Sequence, residues 1–382
     1  MTLRERTAES VTEGHPDKLC DLIADTILDA VLTADPDAHA AVEATCTGGE
    51  CHVFGETTLI PSDVETLVRG VYRRVGHPQP DMVRVTLDRQ SPEIRAGVGD
   101  GARQGAGDQG VMVGYACDET PQLMPLPVVL AHMLARRMDT LRHGGVLPML
   151  GPDGKTQVTV LYGDDGPRAV TGVLVSAQHA ADAHVDMVRD LVERMVVQPV
   201  LADAASLLDV DVSGAHVTVN PAGAWTLGGP WADSGLTGRK LAVDQYGPSA
   251  PNGGGALSGK DPSKTDRSGA YMARLIARTV VASGLASRCT VTLAYMIGRA
   301  DPVQVDVDTH GTGDVDDMLI RDGVLRLFDL TPHGIIRGMG LKRPMYAPTA
   351  VYGHYGRTDL DLPWESSAHA DELRRLTLGP VA

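Results

Sequence analysis

The 382-residue sequence predicts an α+β protein of two or three domains. Helix-like and strand-like segments follow one another without the regular strand–helix alternation of a doubly wound sheet. A chain of this length also exceeds what one hydrophobic core usually supports. Hydrophobic residues make up 43% of the chain and aromatic residues only 4%, so the core must consist mainly of aliphatic side chains.

Apolar residues at helical spacing predict an amphipathic helix over residues 16–33. Pro16 would occupy the first turn, where proline is favoured, and Asp17 would place a carboxylate near the positive end of the helix dipole. His15 is therefore expected at the mouth of a helix N-terminus. Further helices are predicted over residues 126–141, about 183–197, and 262–283.

Strands are predicted where apolar and β-branched residues alternate with polar ones. Residues 157–162 and 170–175 flank the turn sequence GDDGP, which predicts a β-hairpin. Residues 95–110 are dense in glycine, which predicts a long loop, either a lid over a site or a plain surface excursion. Additional strands are predicted over residues 216–220, 240–245, 289–297 and 303–308.

The composition argues against several classes of protein. A formal net charge of −15 argues against binding nucleic acid or an anionic membrane through the overall field. No run of about 18 apolar residues is present, and the first ten residues lack an apolar stretch, so we expect neither a membrane span nor a secretory signal. The five cysteines contain no C-x-x-C pair, which favours reduced thiols in a cytoplasmic protein without a zinc site.

Residues 253–268 (GGGALSGKDPSKTDRS) have the features of a phosphate-binding segment. Three glycines would let the backbone approach a ligand closely, and Asp261 with Pro262 predicts a helix N-cap and first turn. Three cations surround this predicted helix start: Lys260, Lys264 and Arg267. Exposed N–H groups with flanking lysines suit a polyphosphate. The alternative is a glycine loop capped by a helix with a solvated basic face.

The same segment comes close to the P-loop pattern without satisfying it. Gly254 and the pair Gly259-Lys260 have the required spacing, but Asp261 stands where a P-loop has the Ser or Thr that holds Mg²⁺. The segment also follows PSAPN instead of a strand. A P-loop NTPase is therefore excluded.

Three further segments combine turn residues with charged side chains. Residues 9–18 place His15, Asp17 and Lys18 within one turn, where a histidine can donate to a phosphate oxygen and an aspartate can hold Mg²⁺. Residues 228–247 contain Asp233 and the pair Arg239-Lys240, and residues 151–157 place Asp153 and Lys155 at a strand start. Each segment alone also fits an ordinary turn or a surface histidine.

Together and in this order, these segments resemble one known family, the methionine adenosyltransferases (S-adenosylmethionine synthetases). The resemblance covers residues 5–365. It implies three similar α/β domains related by a pseudo-threefold axis, which we expect at residues 1–100, 105–227 and 228–382. The matching strings are ESVTEGHPDKLCD, GAGDQGVMVGYA, PLPVVLAHMLARRM, PDGKTQVTV, GLTGRK, GGGALSGKDPSKTDRS, FDLTPHGII and PTAVYGHYGR.

The resemblance also implies a reaction. The methionine sulfur of L-methionine would attack C5′ of ATP and expel tripolyphosphate, which would then be cleaved to phosphate and pyrophosphate. Two Mg²⁺ and one K⁺ are implied as cofactors, and a homodimer or homotetramer with its active sites between subunits as the assembly. Because a thioether sulfur has no proton to lose, the first step requires alignment and stabilisation of the leaving group, with no general base.

Residue roles follow from the resemblance position by position. Asp17 and Asp266 would each hold Mg²⁺, and Glu43 would hold K⁺. The implied catalytic residues are His15, Lys155, Arg239, Lys260 and Lys264. The implied ATP-binding residues are His15, Asp153, Gly154, Lys155, Trp225, Asp233, Arg239, Lys240, Ala256 and Lys260. The implied methionine-binding residues are Glu56, Gln90, Asp233 and Lys264. Residues 97–107 would form the lid.

Several positions depart from the family pattern. Leu257 replaces an aromatic residue, Ala224 replaces a basic one, and Thr47 replaces a lysine. The loss of bulk at Leu257 leaves open a variant that accepts bulkier methionine analogues in a specialised pathway. A non-catalytic homologue that binds a partner subunit is disfavoured, because the matched phosphate-site and metal-site residues are all present.

Overall fold

The structure is a computed structural model that describes residues 3–89 and 105–379. Helices and strands are mixed throughout, so the predicted α+β class is confirmed. The strands are β1 (Arg4–Val11), β2 (Ala40–Thr47), β3 (Glu50–Thr57), β4 (Met82–Asp88), β5 (Gly110–Cys117), β6 (Leu150–Gly163), β7 (Gly166–His179), β8 (His216–Val219), β9 (Gly235–Leu236), β10 (Arg288–Tyr295) and β11 (Gln304–Asp308).

The α-helices of the described residues vary in length from one turn to five. They are α1 (Pro16–Ala34), α2 (Val64–Val75), α3 (Leu126–His143), α4 (Val185–Val192), α5 (Gln198–Leu208), α6 (Leu241–Asp244), α7 (Thr265–Ala282), α8 (Asp317–Leu327), α9 (Pro332–Gly338) and α10 (Ala370–Leu378). A short π-helical turn over Glu193–Val197 joins α4 to α5. No helix of the described ranges is long and apolar enough to cross a membrane.

One strand arrangement recurs in three sheets, whose orders are β1-β6-β7-β8, β9-β2-β3-β4 and β5-β10-β11. Each sheet contains an antiparallel pair of strands that are neighbours in sequence, namely β6–β7, β2–β3 or β10–β11. A strand from elsewhere in the chain, β1, β9 or β5, adds antiparallel to one side of that pair. In two sheets a parallel strand, β8 or β4, completes the other side.

The donated strands connect the three predicted domains in a cycle. Strand β1 of the first predicted domain joins the sheet of the second, β5 of the second joins the sheet of the third, and β9 of the third joins the sheet of the first. This exchange agrees with three similar domains. The boundaries at residues 1–100, 105–227 and 228–382 stay predictions, because every sheet draws strands from two of these ranges.

Two hydrophobic clusters stabilise the arrangement. The larger includes α1, the buried face of the β2–β3 sheet and α7, and the smaller lies between α3, the β6–β7 hairpin and α4. The segment after residue 358, which has a polar sequence, also enters the core. Trp364 is fully buried, stacks on Tyr271 with ring centroids 3.6 Å apart, and donates its indole N–H to the backbone oxygen of His354 at 2.9 Å.

Most predicted elements are confirmed, and α1 and α3 agree within two residues. The β6–β7 hairpin is confirmed as a hairpin, but its strands are longer than predicted, since β6 begins seven residues earlier and β7 extends four residues further at each end. The predicted helix near 183–197 is present but continues to Leu208 through the π turn. The predicted strand over 240–245 is wrong: Leu241–Asp244 forms one helical turn, in which the Asp244 N–H donates to the Lys240 carbonyl at 2.8 Å. Burial of the Asp244 carboxylate against Lys18 fixes this turn, and no local pattern could reveal that contact.

The predicted start of the long helix is also wrong. Helix α7 begins at Thr265 with Lys264 as its N-cap, three residues later than predicted. The Asp261 carboxylate instead accepts N–H bonds from Ala40 at 2.7 Å and Ser263 at 2.7 Å. Asp261 therefore ties the glycine segment to β2 and forms a tight turn before the helix.

Candidate active site

His15 is the N-cap of α1 and is only 3% exposed. Its Nδ1 accepts the backbone N–H of Asp17 at 3.2 Å, so a neutral ring carries its hydrogen on Nε2. Burial, with the nearby Lys240 and Lys155 ammonium groups, lowers the pKa of His15 to about 3. The imidazole is therefore a neutral N–H donor, held at the positive end of the helix dipole.

Asp17 connects the start of α1 to the segment that contains Arg239 and Lys240. Its carboxylate accepts the Leu236 N–H at 3.1 Å and the Lys240 ammonium at 2.6 Å. The Arg239 guanidinium lies 3.7 Å from the same carboxylate. Burial alone would raise the Asp17 pKa, but the hydrogen bonds from Lys240 and Leu236 lower it below its ordinary value. Asp17 is thus an anion with two cations beside it.

Asp153 and Lys155 lie near the start of β6, as predicted, and their side chains have opposite environments. Asp153 is 5% exposed, and its Oδ2 accepts the Gly229 N–H at 2.8 Å. Its Oδ1 is buried and has no hydrogen-bond partner among the described residues. Burial raises the pKa of Asp153 to about 6, against the lowering effect of Gly229 and Lys155. Lys155 is exposed, and pairing of β1 with β6 places it opposite Val11, four residues before His15.

A glycine contact brings β6 close to the start of α1. A methyl group on Gly14 would lie 2.4 Å from the Pro152 carbonyl oxygen, so the two backbones touch where only glycine fits. Gly154 is buried between Asp153 and Lys155 on the same strand. The structure therefore brings His15, Asp153, Gly154 and Lys155 to one place.

Residues 225–233 run past Asp153. The Trp225 N–H donates to His179 Nε2 at 3.2 Å, and its indole donates to the Leu227 carbonyl at 2.7 Å. Asp233 is exposed, and among the described residues its carboxylate accepts only the Ser234 N–H, at 2.8 Å. We call His15, Asp17 and the residues around them the first group. Its members are His15, Asp17, Asp153, Gly154, Lys155, Trp225, Asp233, Arg239 and Lys240.

A second group lies along the glycine segment and β2–β3. The Lys260 ammonium binds the Asp266 carboxylate at 2.5 Å, and the Lys264 ammonium binds Asp261 at 3.0 Å. A methyl group on Gly255 would lie 2.5 Å from the Asp266 carboxylate, so the glycine chain passes directly over it. The members of the second group are Glu43, Glu56, Ala256, Lys260, Lys264 and Asp266.

Glu43 and Glu56 share one exposed sheet face. In the β2–β3 register Glu43 lies opposite Phe54 and Ala41 lies opposite Glu56, so these four side chains point to the same side. Both glutamates are exposed, and neither forms a hydrogen bond or an ion pair with another described residue. Ala41 also forms a β-bridge with Lys260, which places Glu56 near the glycine segment.

The two groups approach each other without joining. A methyl group on Gly238 would come within 2.5 Å of the Ala256 Cβ, so the two lysine-bearing segments are in contact there. In the described part of the chain, no hydrogen bond or ion pair links a side chain of the first group to a side chain of the second group. Gln90 and residues 97–104 of the predicted lid lie outside the described residues. The role of the lid stays a prediction.

The carboxylates of the two groups suit Mg²⁺ that also binds the phosphates of a nucleotide. Within the described ranges no three His, Cys, Asp or Glu side chains converge to form a metal cluster. Asp17 and Asp266 are single carboxylates, each with lysine beside it. Protein Mg²⁺ sites that hold a nucleotide commonly use one or two carboxylates, with substrate phosphates and water as the other ligands. Isolated carboxylates among phosphate-binding cations fit that arrangement.

Sequence reasoning missed the acidic stripe of α1. Asp17, Asp21, Asp25 and Asp29 recur every four residues, and all four carboxylates accept backbone N–H groups from distant loops. The signal was present in the sequence, since four acidic residues at i, i+4 spacing lie within an apolar helix.

Leu257 is 1% exposed and belongs to the larger core cluster, so its size affects packing of the glycine segment.

Comparisons with known proteins agree with this geometry over the whole chain. The family models named S-adenosylmethionine synthetase N-terminal, central and C-terminal domain match residues 4–96, 103–225 and 227–366. Proteins named S-adenosylmethionine synthase from Parafrankia sp. and Corynebacterium kroppenstedtii are each 49% identical, covering 99% and 98% of this chain and 100% and 99% of their own. One from Nocardia farcinica is 49% identical, with 96% of each chain covered. The chain therefore belongs to the S-adenosylmethionine synthetase family.

Proposed function

We propose that the protein forms S-adenosylmethionine from ATP and L-methionine and cleaves the released tripolyphosphate to phosphate and pyrophosphate. The observation that carries this proposal is the convergence of His15, Asp17, Lys155, Arg239 and Lys240 at the start of α1. Four N–H or ammonium donors and one carboxylate meet there around a helix N-terminus. That is the arrangement a departing polyphosphate requires.

The neutral His15 has a defined part in this reaction. Its Nε2–H donates a hydrogen bond to the oxygen that leaves C5′, where negative charge develops. Lys155, Arg239 and Lys240 stabilise the same charge on the tripolyphosphate. A preorganised donor in a water-poor site costs no reorganisation at the moment of reaction, so its contribution is larger than in water. No group of the site needs to remove a proton from the attacking sulfur.

Asp153 supports binding of the nucleoside. Its buried Oδ1 has no partner in the part of the chain that the structure describes, although a buried carboxylate oxygen without a partner is costly. A donor on the nucleoside, such as a ribose hydroxyl, would satisfy it. Trp225, on the neighbouring segment, offers a ring for the adenine, and Gly154 lets the backbone approach the ligand.

Methionine is assigned to residues of the second group. The Lys264 ammonium suits the amino-acid carboxylate, and the exposed Glu56 carboxylate suits the amino group. Asp233 of the first group and Gln90 complete the methionine site. Lys260 and Ala256 face ATP from the same segment. Both substrates thus meet between the first and second groups.

Asp17 and Asp266 are the proposed Mg²⁺ ligands, and Glu43 is the proposed K⁺ ligand. When bound, these cations neutralise the charge of the polyphosphate and of its transition state. Two Mg²⁺ and one K⁺ per site would match the carboxylates available. The protein supplies the carboxylates and surrounds Asp17 and Asp266 with lysines that bind the same phosphates.

A paired assembly would complete the site. Glu43 and Glu56 lie on an exposed sheet face, and no side-chain hydrogen bond or ion pair joins the two groups within the described ranges. We therefore propose that the protein is a homodimer or homotetramer with active sites between subunits. We also propose that it acts in the cytoplasm. The domain division at residues 1–100, 105–227 and 228–382 belongs to the same proposal.

One assay tests the proposed function. Purified protein is incubated with ATP, L-methionine, Mg²⁺ and K⁺, and S-adenosylmethionine and phosphate are measured together. We expect both products in the wild type and a strong loss of turnover in Lys155→Ala, with little change in stability because the Lys155 side chain is exposed. Lys342→Ala is the matched control, because the described partner of Lys342 is the surface residue Asp37, which has no proposed role in the site. Equal turnover of Lys155→Ala and Lys342→Ala would disprove the assignment of Lys155.

A further inference from the structure

Two segments that contain lysines meet α1 in the same way. In Gly238-Arg239-Lys240 and in Gly259-Lys260, a glycine with positive φ precedes the lysine, with φ of 77° and 79°. Each glycine N–H donates to an aspartate of α1: Gly238 to Asp21 at 2.8 Å and Gly259 to Asp25 at 2.7 Å. These aspartates are one helical turn apart, so a single helix face holds both segments.

Asp21 is fully buried beside a permanent counterion. Its second carboxylate oxygen accepts the Lys18 ammonium at 2.9 Å, and Lys18 also binds the buried Asp244. Asp244 is the last residue of the helical turn that follows Lys240. Lys18 and Asp21 therefore hold the segment on both sides of Lys240, without a hydrogen bond to Lys240 itself.

Asp25 holds the second segment in a similar way. Both its oxygens bind the buried Arg267 guanidinium, at 2.6 and 2.9 Å. Arg267 also donates to the Lys260 carbonyl at 3.2 Å. The Asp25–Arg267 pair thus binds the N–H of Gly259 and the C=O of Lys260, one backbone group before and one after the Lys260 Cα.

We propose that Asp21 and Asp25 are positioning residues: through the N–H groups of Gly238 and Gly259 they set the places of the Lys240 and Lys260 ammonium groups relative to the N-terminus of α1. A buried carboxylate on a helix has a more fixed position than a glycine loop, so it can hold the loop, and the lysine that follows, in one place. A displacement of about 1 Å in a group that aligns substrate can cost on the order of 100-fold in rate. This inference rests on the proposed roles of Lys240 and Lys260 in binding ATP.

The first test uses Asp21, because removing it leaves Lys18 paired with Asp244. We expect Asp21→Ala to lower kcat by about tenfold or more, and we expect Asp21→Asn to recover most of the loss because its amide oxygen can still accept the Gly238 N–H. In a double-mutant cycle, Asp21→Ala should add little to the loss caused by Lys240→Ala, since both act through one ammonium group.

The matched control is Asp29→Ala. Asp29 belongs to the same stripe and accepts the N–H groups of Met345, Tyr346 and Ala347, on a segment without a proposed substrate contact. We expect it to lower the melting temperature at least as much as Asp21→Ala while kcat stays within about threefold of the wild type. An equal loss of kcat in both variants would overturn the proposal in favour of general destabilisation.

Asp25 needs a milder change, because Asp25→Ala would leave Arg267 buried without a counterion. Arg267→Lys keeps the charge beside Asp25 but cannot reproduce the planar fork that also reaches the Lys260 carbonyl. We expect faster amide hydrogen exchange in peptides that contain residues 256–261, and a lower kcat that is not additive with Lys260→Ala. Unchanged exchange and unchanged kcat would overturn the role of this pair.

The same variants separate two kinds of failure. If Lys240→Ala and Lys260→Ala abolish turnover while Asp21→Ala and Arg267→Lys remain fully active, only the positioning inference fails. If the two lysine variants also remain fully active, the proposed binding role of these lysines fails, and the positioning inference fails with it. Additive effects in the double-mutant cycle would likewise overturn the inference.

Discussion

The Nδ1 atom of His15 accepts the backbone N–H of Asp17 at 3.2 Å, and this single contact settles the state of the imidazole. A ring nitrogen that accepts a hydrogen bond cannot carry a proton, so the hydrogen of the neutral ring is on Nε2. Helix capping therefore uses one side of the ring and leaves the Nε2–H on the other side free for the proposed contact with the leaving oxygen. The sequence order His-Pro-Asp makes this possible, since Pro16 has no N–H to compete for the cap.

His15 should remain neutral across the physiological range. Burial, together with Lys240 and Lys155, lowers its pKa to about 3 in the folded protein. We expect the His15 ring carbon signal of the ligand-free protein, assigned with a His15→Asn variant, to stay constant between pH 5 and 8 in NMR spectra. In denaturant the same signal should titrate near pH 6.5, the ordinary value for histidine. A folded-state midpoint above pH 5 would contradict the neutral-donor role.

Asp153 should make stability depend on pH in the opposite sense to an ordinary ion-paired carboxylate. Its pKa is raised by burial to about 6, so between about pH 4 and 6 the folded protein holds a proton that the unfolded chain has lost. The contribution of Asp153 to the free energy of unfolding therefore falls as pH rises through this window. Asp153→Asn, which cannot ionise, should gain stability relative to the wild type by at most about 3 kcal/mol.

Chemical denaturation of both proteins at pH 4, 5, 6 and 7 measures this difference. We also expect a higher KM for ATP in Asp153→Asn, because an amide places a donor where the nucleoside needs acceptors. A stability difference that does not change with pH would contradict the raised pKa. An unchanged KM would contradict the binding role alone.

Two glycines of the 253–268 segment should respond differently to alanine. Both have positive φ, 86° at Gly254 and 79° at Gly259. A methyl group on Gly254 would meet no atom of the described residues within 4 Å, so Gly254→Ala should cost only the backbone strain of roughly 1–2 kcal/mol. A methyl group on Gly259 would lie 1.8 Å from the Val42 carbonyl oxygen, so the chain at Lys260 would have to move away from β2.

We therefore expect Gly259→Ala to lose most S-adenosylmethionine formation and several degrees of melting temperature, and Gly254→Ala to lose much less stability. Thermal unfolding and the product assay on the two variants check this. Equal losses of stability in the two variants would show that backbone strain at positive φ determines the loss, and would contradict a steric contribution from β2.

The C-terminal segment should contribute strongly to stability. Trp364 is fully buried and stacks on Tyr271 of α7. Trp364→Ala should lower the free energy of unfolding by about 3–5 kcal/mol, the usual cost of removing a buried aromatic side chain. Trp225→Ala is a useful comparison, because Trp225 is half-buried outside both core clusters and its loss should cost far less. Urea unfolding of the two variants measures the difference.

Local patterns predicted the elements that depend on local physics. Helix α1, helix α3 and the β6–β7 hairpin follow from side-chain periodicity and a turn sequence, which act within a few residues. The strand predicted over 240–245 failed because a contact 226 residues away in sequence, between Lys18 and Asp244, stabilises a helical turn there. The predicted start of α7 was wrong for a similar reason, because the Asp261 carboxylate accepts the N–H of Ala40 in β2 instead of capping the helix.

The candidate site also combines residues that local motifs predict with residues that only the tertiary structure reveals. Motifs of several residues identified His15, Asp17, Lys155, Arg239-Lys240 and Lys260, because each motif concentrates unusual chemistry in one short stretch. The aspartates that hold these motifs in place were missed. Asp21 and Asp25 act on glycine N–H groups more than 200 residues away, and a sequence contains no distances.

By itself, the sequence determined the family to which the chain belongs and where helices and hairpins form from near neighbours, and it predicted which residues bear the chemistry. Only the tertiary structure decided that three sheets exchange strands in a cycle, that His15 is a neutral donor, and that one helix holds both lysine segments. The physical reason is the range of the interactions. Periodicity, turns and motifs depend on adjacent residues, whereas burial, proton affinity and loop placement depend on whichever groups the fold brings together.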